Sequence, residues 1–126
     1  MIEAQRVDFL LVPVKDRERA ERFYSDVLGL QRSPESGERW VEYETGNLTL
    51  ALVDPQMFGS EFSPLVALAL RVPDVEAAKA RLQDAGVEVA DMFDSGVCFG
   101  AGFKDSEGNG LLLHHRYAPF SDGRTP

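Results

Sequence analysis

Sulfur and imidazole are scarce in this chain: one cysteine, Cys98, and two histidines, His114 and His115, among 126 residues. A lone cysteine closes no internal disulfide, so a cytoplasmic protein is the expectation. Adjacent histidines on a strand point to opposite faces and cannot chelate one ion together. Basic residues are few as well. Thirteen Lys and Arg stand against 21 Asp and Glu, for a net charge of −8 and a pI near 4.7. Such a balance repels phosphate, so no nucleic-acid partner is expected, and an anionic membrane surface is disfavoured for the same reason. No apolar run approaches the roughly 20 residues of a membrane helix. Residues 1–6 have neither the basic start nor the apolar stretch of a leader. What is present is ordinary for a globular chain: 44% hydrophobic and 27% charged residues. The length suits one domain, 1–126, with one core.

Periodicity shows one order of elements written twice. Residues 6–14 form an apolar strand ending at Pro13, and Asp16 stands where a helix cap belongs. Residues 17–28 follow as a helix with Ala20, Phe23, Tyr24 and Val27 on one face, closed by Gly29. Short strands are expected at 30–33, 38–44 and 48–53, the last two joined by Thr45-Gly46-Asn47. The second copy runs from a strand at 64–72 to a helix at 75–85 capped by Asp74, with Ala78, Leu82 and Ala85 on one side. Strands at 87–92, 97–103 and 110–115 complete it, with Asp105-Ser106-Glu107-Gly108-Asn109 as the last turn. This is an internal duplication: a first module at about 6–53, a linker at 54–63, a second module at about 64–117 and a loose tail at 118–126.

Three pieces of the first copy carry a resemblance: Val7-Asp8-Phe9-Leu10, Val14-Lys15-Asp16, and Phe23-Tyr24-Ser25-Asp26-Val27-Leu28-Gly29-Leu30. In the second copy, Val72-Pro73-Asp74-Val75-Glu76-Ala77-Ala78 and Phe103-Lys104-Asp105-Ser106-Glu107-Gly108-Asn109 do the same. The ordered set, covering about residues 6–115, resembles the vicinal oxygen chelate group, the glyoxalase/bleomycin-resistance/dioxygenase superfamily. The resemblance implies an α+β fold of tandem βαβββ modules, each a curved mixed sheet with its helix on the convex face, around a cleft. It also implies a homodimer. In enzymes of the group a metal is held by His or Gln on the first strand of each module and Glu on the last. Carried onto this chain, those places fall on Phe9, Leu50, Ala67 and Leu112. None offers a lone pair to a cation, so no metal site and no cofactor are expected.

Strand alternation then sketches the cleft, with the proviso that a slip of one residue reverses a strand's faces. If Phe9 faces inward, so does Leu11. Leu48, Leu50 and Leu52 are taken to do so from the fourth strand, and Trp40, Glu42 and Glu44 from the third. Ala67, Ala69 and Arg71 follow from the fifth, and Leu112 and His114 from the last; Gly100 and Gly102 would leave room for a guest. The expected ligand-contacting residues are thus Phe9, Leu11, Trp40, Glu42, Leu50, Leu52, Ala67, Ala69, Arg71, Leu112 and His114, with no catalytic residue assigned. Plainer readings stand beside these. Arg71 suits a surface group, His114 a sheet-edge cap, Trp40 simple packing, and Cys98 a small core residue.

A mostly apolar concavity with a few polar groups is the character of a small-molecule pocket. The leading expectation is a metal-free protein binding a small apolar or aromatic ligand. A metal-independent lyase or isomerase using Glu42 or His114 is the alternative. A conventional metal-dependent glyoxalase or dioxygenase ranks third, and an assembly module with a filled cleft is a fourth reading.

Overall fold

Two aspartates start the two helices. Asp16 accepts a hydrogen bond from the Arg19 amide at 3.1 Å and Asp74 one from the Ala77 amide at 3.0 Å, each satisfying an amide that the first helical turn leaves without a partner. The computed structural model describes residues 1–126 and places these caps in two compact units, Met1–Pro64 and Leu65–Pro126.

In the first unit the order is β1 (Phe9–Pro13), α1 (Arg17–Arg22), β2 (Gln31–Arg32), β3 (Val41–Glu44) and β4 (Thr49–Val53). The helix expected over 17–28 is α-helical only to Arg22. A π-helical turn, Phe23–Val27, completes it, with the Leu28 amide bonded to the Phe23 carbonyl. The sheet runs β1-β4-β3-β2, with β1 parallel to β4 and the other pairs antiparallel. Pro13 therefore lies on an edge strand, where a missing amide interrupts no ladder. Val12, Val41, Tyr43, Leu50 and Leu52 are buried on the helix side, together with Ala20 and Tyr24. Tyr43 ties the layers: its ring lies 5.9 Å from that of Tyr24, and its hydroxyl bonds Ser25 Oγ at 2.7 Å and donates to the Glu21 carbonyl at 3.2 Å. Burial pushes that hydroxyl above its ordinary pKa, so it remains neutral in its contacts at physiological pH.

The second unit repeats the topology with β5 (Leu68–Arg71), α2 (Val75–Asp84), β6 (Phe93–Asp94), β7 (Cys98–Lys104) and β8 (Gly110–Arg116), in the order β5-β8-β7-β6. Ala101, Phe103, Leu111 and Leu113 are buried, with Val75 and Leu82 of α2. Ala85, expected on the packing side, is exposed at the C-cap, and Val75 does that work instead. The turn before β8 is a buried polar knot. Asp105 accepts from the amides of Glu107 and Asn109 and from Asn109 Nδ2, at 2.8–2.9 Å.

The sixth strand is not where the sequence suggests. Residues 87–92 contribute only a bridge between Val89 and Phe103, and the strand proper is Phe93–Asp94. Between Val89–Phe103 and the next pair, Phe93–Gly100, three residues (Ala90, Asp91, Met92) oppose two (Ala101, Gly102). This is a β-bulge, and it changes which way Phe93 points.

Candidate functional site

Each sheet has a face without a helix, and the register assigns its residues. In the first unit Phe9 pairs with Thr49, and Leu11 with Ala51, which pairs in turn with Glu42. Phe9, Leu11, Ala51 and Glu42 therefore share the helix-free face. Leu50 and Leu52, expected beside Phe9, point the other way: their neighbours are Leu10, Tyr43, Val12 and Val41, in the core. The reason is one residue of loop. In the second unit β8 begins directly after Gly108-Asn109, whereas in the first Leu48 intervenes between Gly46-Asn47 and β4. Counting from the Gly-Asn pair thus slips by one, and every side chain of β4 changes face. The counterpart of Leu112 is Ala51.

On this face Phe9 and Trp40 meet edge to face, with centroids 5.2 Å apart and planes at 89°. Trp40 also donates from Nε1 to Glu42 Oε1 at 2.7 Å. Packing and orientation are therefore both its work, and the Glu42 carboxylate is held by an indole. Ala51 on the same face is wholly buried, while Phe9 remains 45% exposed. Glu44 leans to its strand neighbour, accepting from Thr49 Oγ1 at 2.9 Å. A separate hollow of about 200 Å³ lies at the other end of these strands, lined by Lys15, Arg39, Leu52 and Met57 among others. It is mixed in charge and gathers none of the helix-free-face residues.

In the second unit alternation holds. Ala69 pairs with Leu112 and Leu112 with Gly102; Arg71 pairs with His114 and His114 with Gly100. These six residues share one face, and Ala67, directly before β5, is exposed. Ala69 and Arg71 are exposed, and Leu112 and His114 half-buried. Gly102 leaves open space, since an added Cβ would meet nothing closer than the Leu111 carbonyl oxygen at 4.0 Å. Gly100 does not: the Phe93 ring lies over it, Cζ 2.3 Å from where a Cβ would stand. Phe93 thus belongs to this face, a residue the sequence pattern missed because only the bulge brings it there.

Cys98 is half-buried on the same face rather than in the core, and Ser95 Oγ lies 3.0 Å from its sulfur. His115 points to the helix side, its Nδ1 2.9 Å from the Val72 carbonyl oxygen. Tyr117 donates to Asp94 Oδ1 at 2.8 Å, pinning the short strand that carries Phe93; that bond raises the Tyr117 hydroxyl above its ordinary pKa.

The places at which the resemblance implies metal ligands hold Phe9, Ala67, Leu112 and, by the corrected register, Ala51. All four are hydrocarbon and do not fit a divalent cation, which needs oxygen, nitrogen or sulfur donors. No three His, Cys, Asp or Glu side chains gather elsewhere to replace them.

Comparison with known proteins gives a consistent family. A family model described as the glyoxalase/bleomycin resistance protein/dioxygenase superfamily matches residues 6–113. Among solved structures, TnmS3, an antibiotic binding protein from Streptomyces sp. CB03234, is 31% identical with a TM-score of 0.77, covering 92% of this chain and 99% of that one. A glyoxalase/bleomycin resistance protein from the same Streptomyces is also 31% identical, with a TM-score of 0.72 and coverage of 87% and 100%. Lactoylglutathione lyase from Agrobacterium tumefaciens, at 19% identity, shares the fold with a TM-score of 0.75 over 89% and 94% of the two chains. None of the curated proteins matches.

Proposed function

We propose that this chain, which belongs to the glyoxalase/bleomycin resistance protein/dioxygenase superfamily, is a metal-free binding protein for a small apolar or aromatic molecule, held on a helix-free sheet face. The observation that carries the reading is the donor set. Phe9, Ala51, Ala67 and Leu112 stand where a metal enzyme of the family needs ligands; all four are hydrocarbon, and Phe9, Ala67 and Leu112 leave apolar surface open, of the kind that lines small-molecule sites. The relation to an antibiotic binding protein at 31% identity supports it. On this reading the two modules act as one domain in a cytoplasmic homodimer.

The test has two arms. Elemental analysis after incubation with nickel, manganese, zinc and ferrous iron is expected to find far less than one metal per chain. A thermal-shift screen of flat aromatic compounds is expected to find binders, and Ala69→Trp, at an exposed position beside Leu112, is expected to abolish their uptake with the melting temperature nearly unchanged. Tight stoichiometric metal, or undiminished uptake by the variant, would sink the proposal.

One observation favours a metal-independent lyase or isomerase as the second reading. Glu42 is half-buried and oriented by Trp40, as a positioned general base would be. A catalytic Glu42 requires that Glu42→Gln remove turnover while binding survives. Loss of both together would assign Glu42 to ligand contact instead.

A further inference from the structure

One cross-strand row of the second sheet has a composition unlike its neighbours. From β6 to β5 it reads Phe93, Gly100, His114, Arg71, each paired in register with the next. Adjacent strands stand about 4.8 Å apart, so the row spans roughly 14 Å. The adjacent row, Gly102, Leu112, Ala69, is entirely hydrocarbon.

The aromatic end is built rather than incidental. The bulge at Ala90–Met92 turns Phe93 to this face; Gly100 has no side chain, so the end of the ring can occupy the space above it; and Tyr117 holds Asp94 beside it. The other end is cationic in a chain of net charge −8. Arg71 is exposed and takes part in none of the chain's ion pairs. Arg116, on the same face, is committed: it donates to the Ala118 and Pro119 carbonyl oxygens and lies 4.2 Å from the Phe120 ring centroid. Arg71 is left as the uncommitted guanidinium, with His114 beside it. An apolar ligand that covered Arg71 would strip its water and return nothing, a costly arrangement. A ligand carrying a planar anionic group would instead form charge-assisted, two-point hydrogen bonds with it.

We propose that this row is a subsite for an aromatic acid, its ring against Phe93 and Leu112 and its anionic oxygens on Arg71 and His114. The inference rests on the small-molecule reading above and names the ligand class that reading leaves open.

Anthracene-2-carboxylate and anthracene-2-carboxamide, two fluorescent probes alike in shape, test it on the full chain by equilibrium fluorescence titration. The carboxylate is expected to bind about ten-fold more tightly than the amide, the equivalent of one strong charge-assisted contact. Arg71→Met is expected to erase that preference by weakening the carboxylate alone, and Phe93→Ala to weaken both probes. Equal binding of the two probes to the unmodified chain would overturn the acid subsite and leave the small-molecule reading standing. Unchanged carboxylate binding in Arg71→Met would do the same. Binding of neither probe to the unmodified chain would overturn both.

Discussion

Leu50→Ala is expected to cost about 2–5 kcal/mol of unfolding free energy, the usual range for truncating a fully buried leucine. Leu112→Ala, at the place that counting from the Gly-Asn pair equates with it, is expected to cost about 1 kcal/mol or less, since less of its apolar surface leaves water. The contrast follows from the register. Leu50 is 1% exposed between Leu10 and Tyr43, in the layer that packs on α1, and a cavity there sits beneath the Tyr24–Tyr43 contact. Leu112 is half-buried between Ala69 and Gly102 on a face with no helix. Urea unfolding of the two variants decides the matter through their midpoints at constant slope. Equal, small losses would place Leu50 on the helix-free face and restore it to the binding surface.

That pair of leucines also shows what the sequence makes legible and where legibility stops. The duplication, the two aspartate caps and the repeated order of strand, helix and three strands are local patterns, and each survives in the structure. Faces in the second unit are legible too, because β8 follows its Gly-Asn turn without an intervening residue and alternation can be counted from a fixed landmark. In the first unit a single residue, Leu48, displaces the count, and nothing in its own chemistry announces this: leucine suits both a loop end and a strand start. The count therefore puts Leu50 and Leu52 on the face that Ala51 and Val53 occupy. The sixth strand is misplaced by its sequence for a related reason. Val87-Glu88-Val89 has the alternation of a strand, but a bulge is defined by the mismatch between two strands, and one strand's sequence carries only half of it. Phe93 was invisible as a site residue on that account. The available signal was Gly100, a glycine inside a strand, which marks a bend or a close approach by another group.

Gly110→Ala tests the geometry on which the candidate site depends, and its effect is expected to be the larger of two glycine substitutions on the same face. A Cβ at Gly110 would stand 2.0 Å from the Val66 carbonyl oxygen and 2.8 Å from its carbon, both backbone atoms. At Gly100 the obstacle is the Phe93 ring, the far end of a half-exposed side chain. A ring can swing aside; a peptide cannot do so without moving its strand. Gly100→Ala is therefore expected to cost about 1 kcal/mol, and Gly110→Ala about 3 kcal/mol or more, at the upper end of overpacking effects. The residue just before Val66 is held at both its amide and its carbonyl. Asn109 Oδ1 accepts the Leu65 amide at 2.9 Å, and the Gly110 amide donates to the Leu65 carbonyl oxygen at 2.9 Å. Three residues later Leu68 enters β5 and pairs with Leu111. A methyl group at Gly110 thus pushes on the segment that sets β5 against β8, and with it the pairing of Arg71 with His114. Chemical denaturation measures the first effect and the carboxylate preference the second. Gly100→Ala is expected to weaken both anthracene probes through Phe93 while keeping their ratio. In Gly110→Ala the ratio itself is expected to fall, under conditions where circular dichroism shows the chain still folded. Were the ratio intact there, the β5–β8 register would not be what aligns Arg71 with the ligand, and the cation would reach its anion by side-chain flexibility alone.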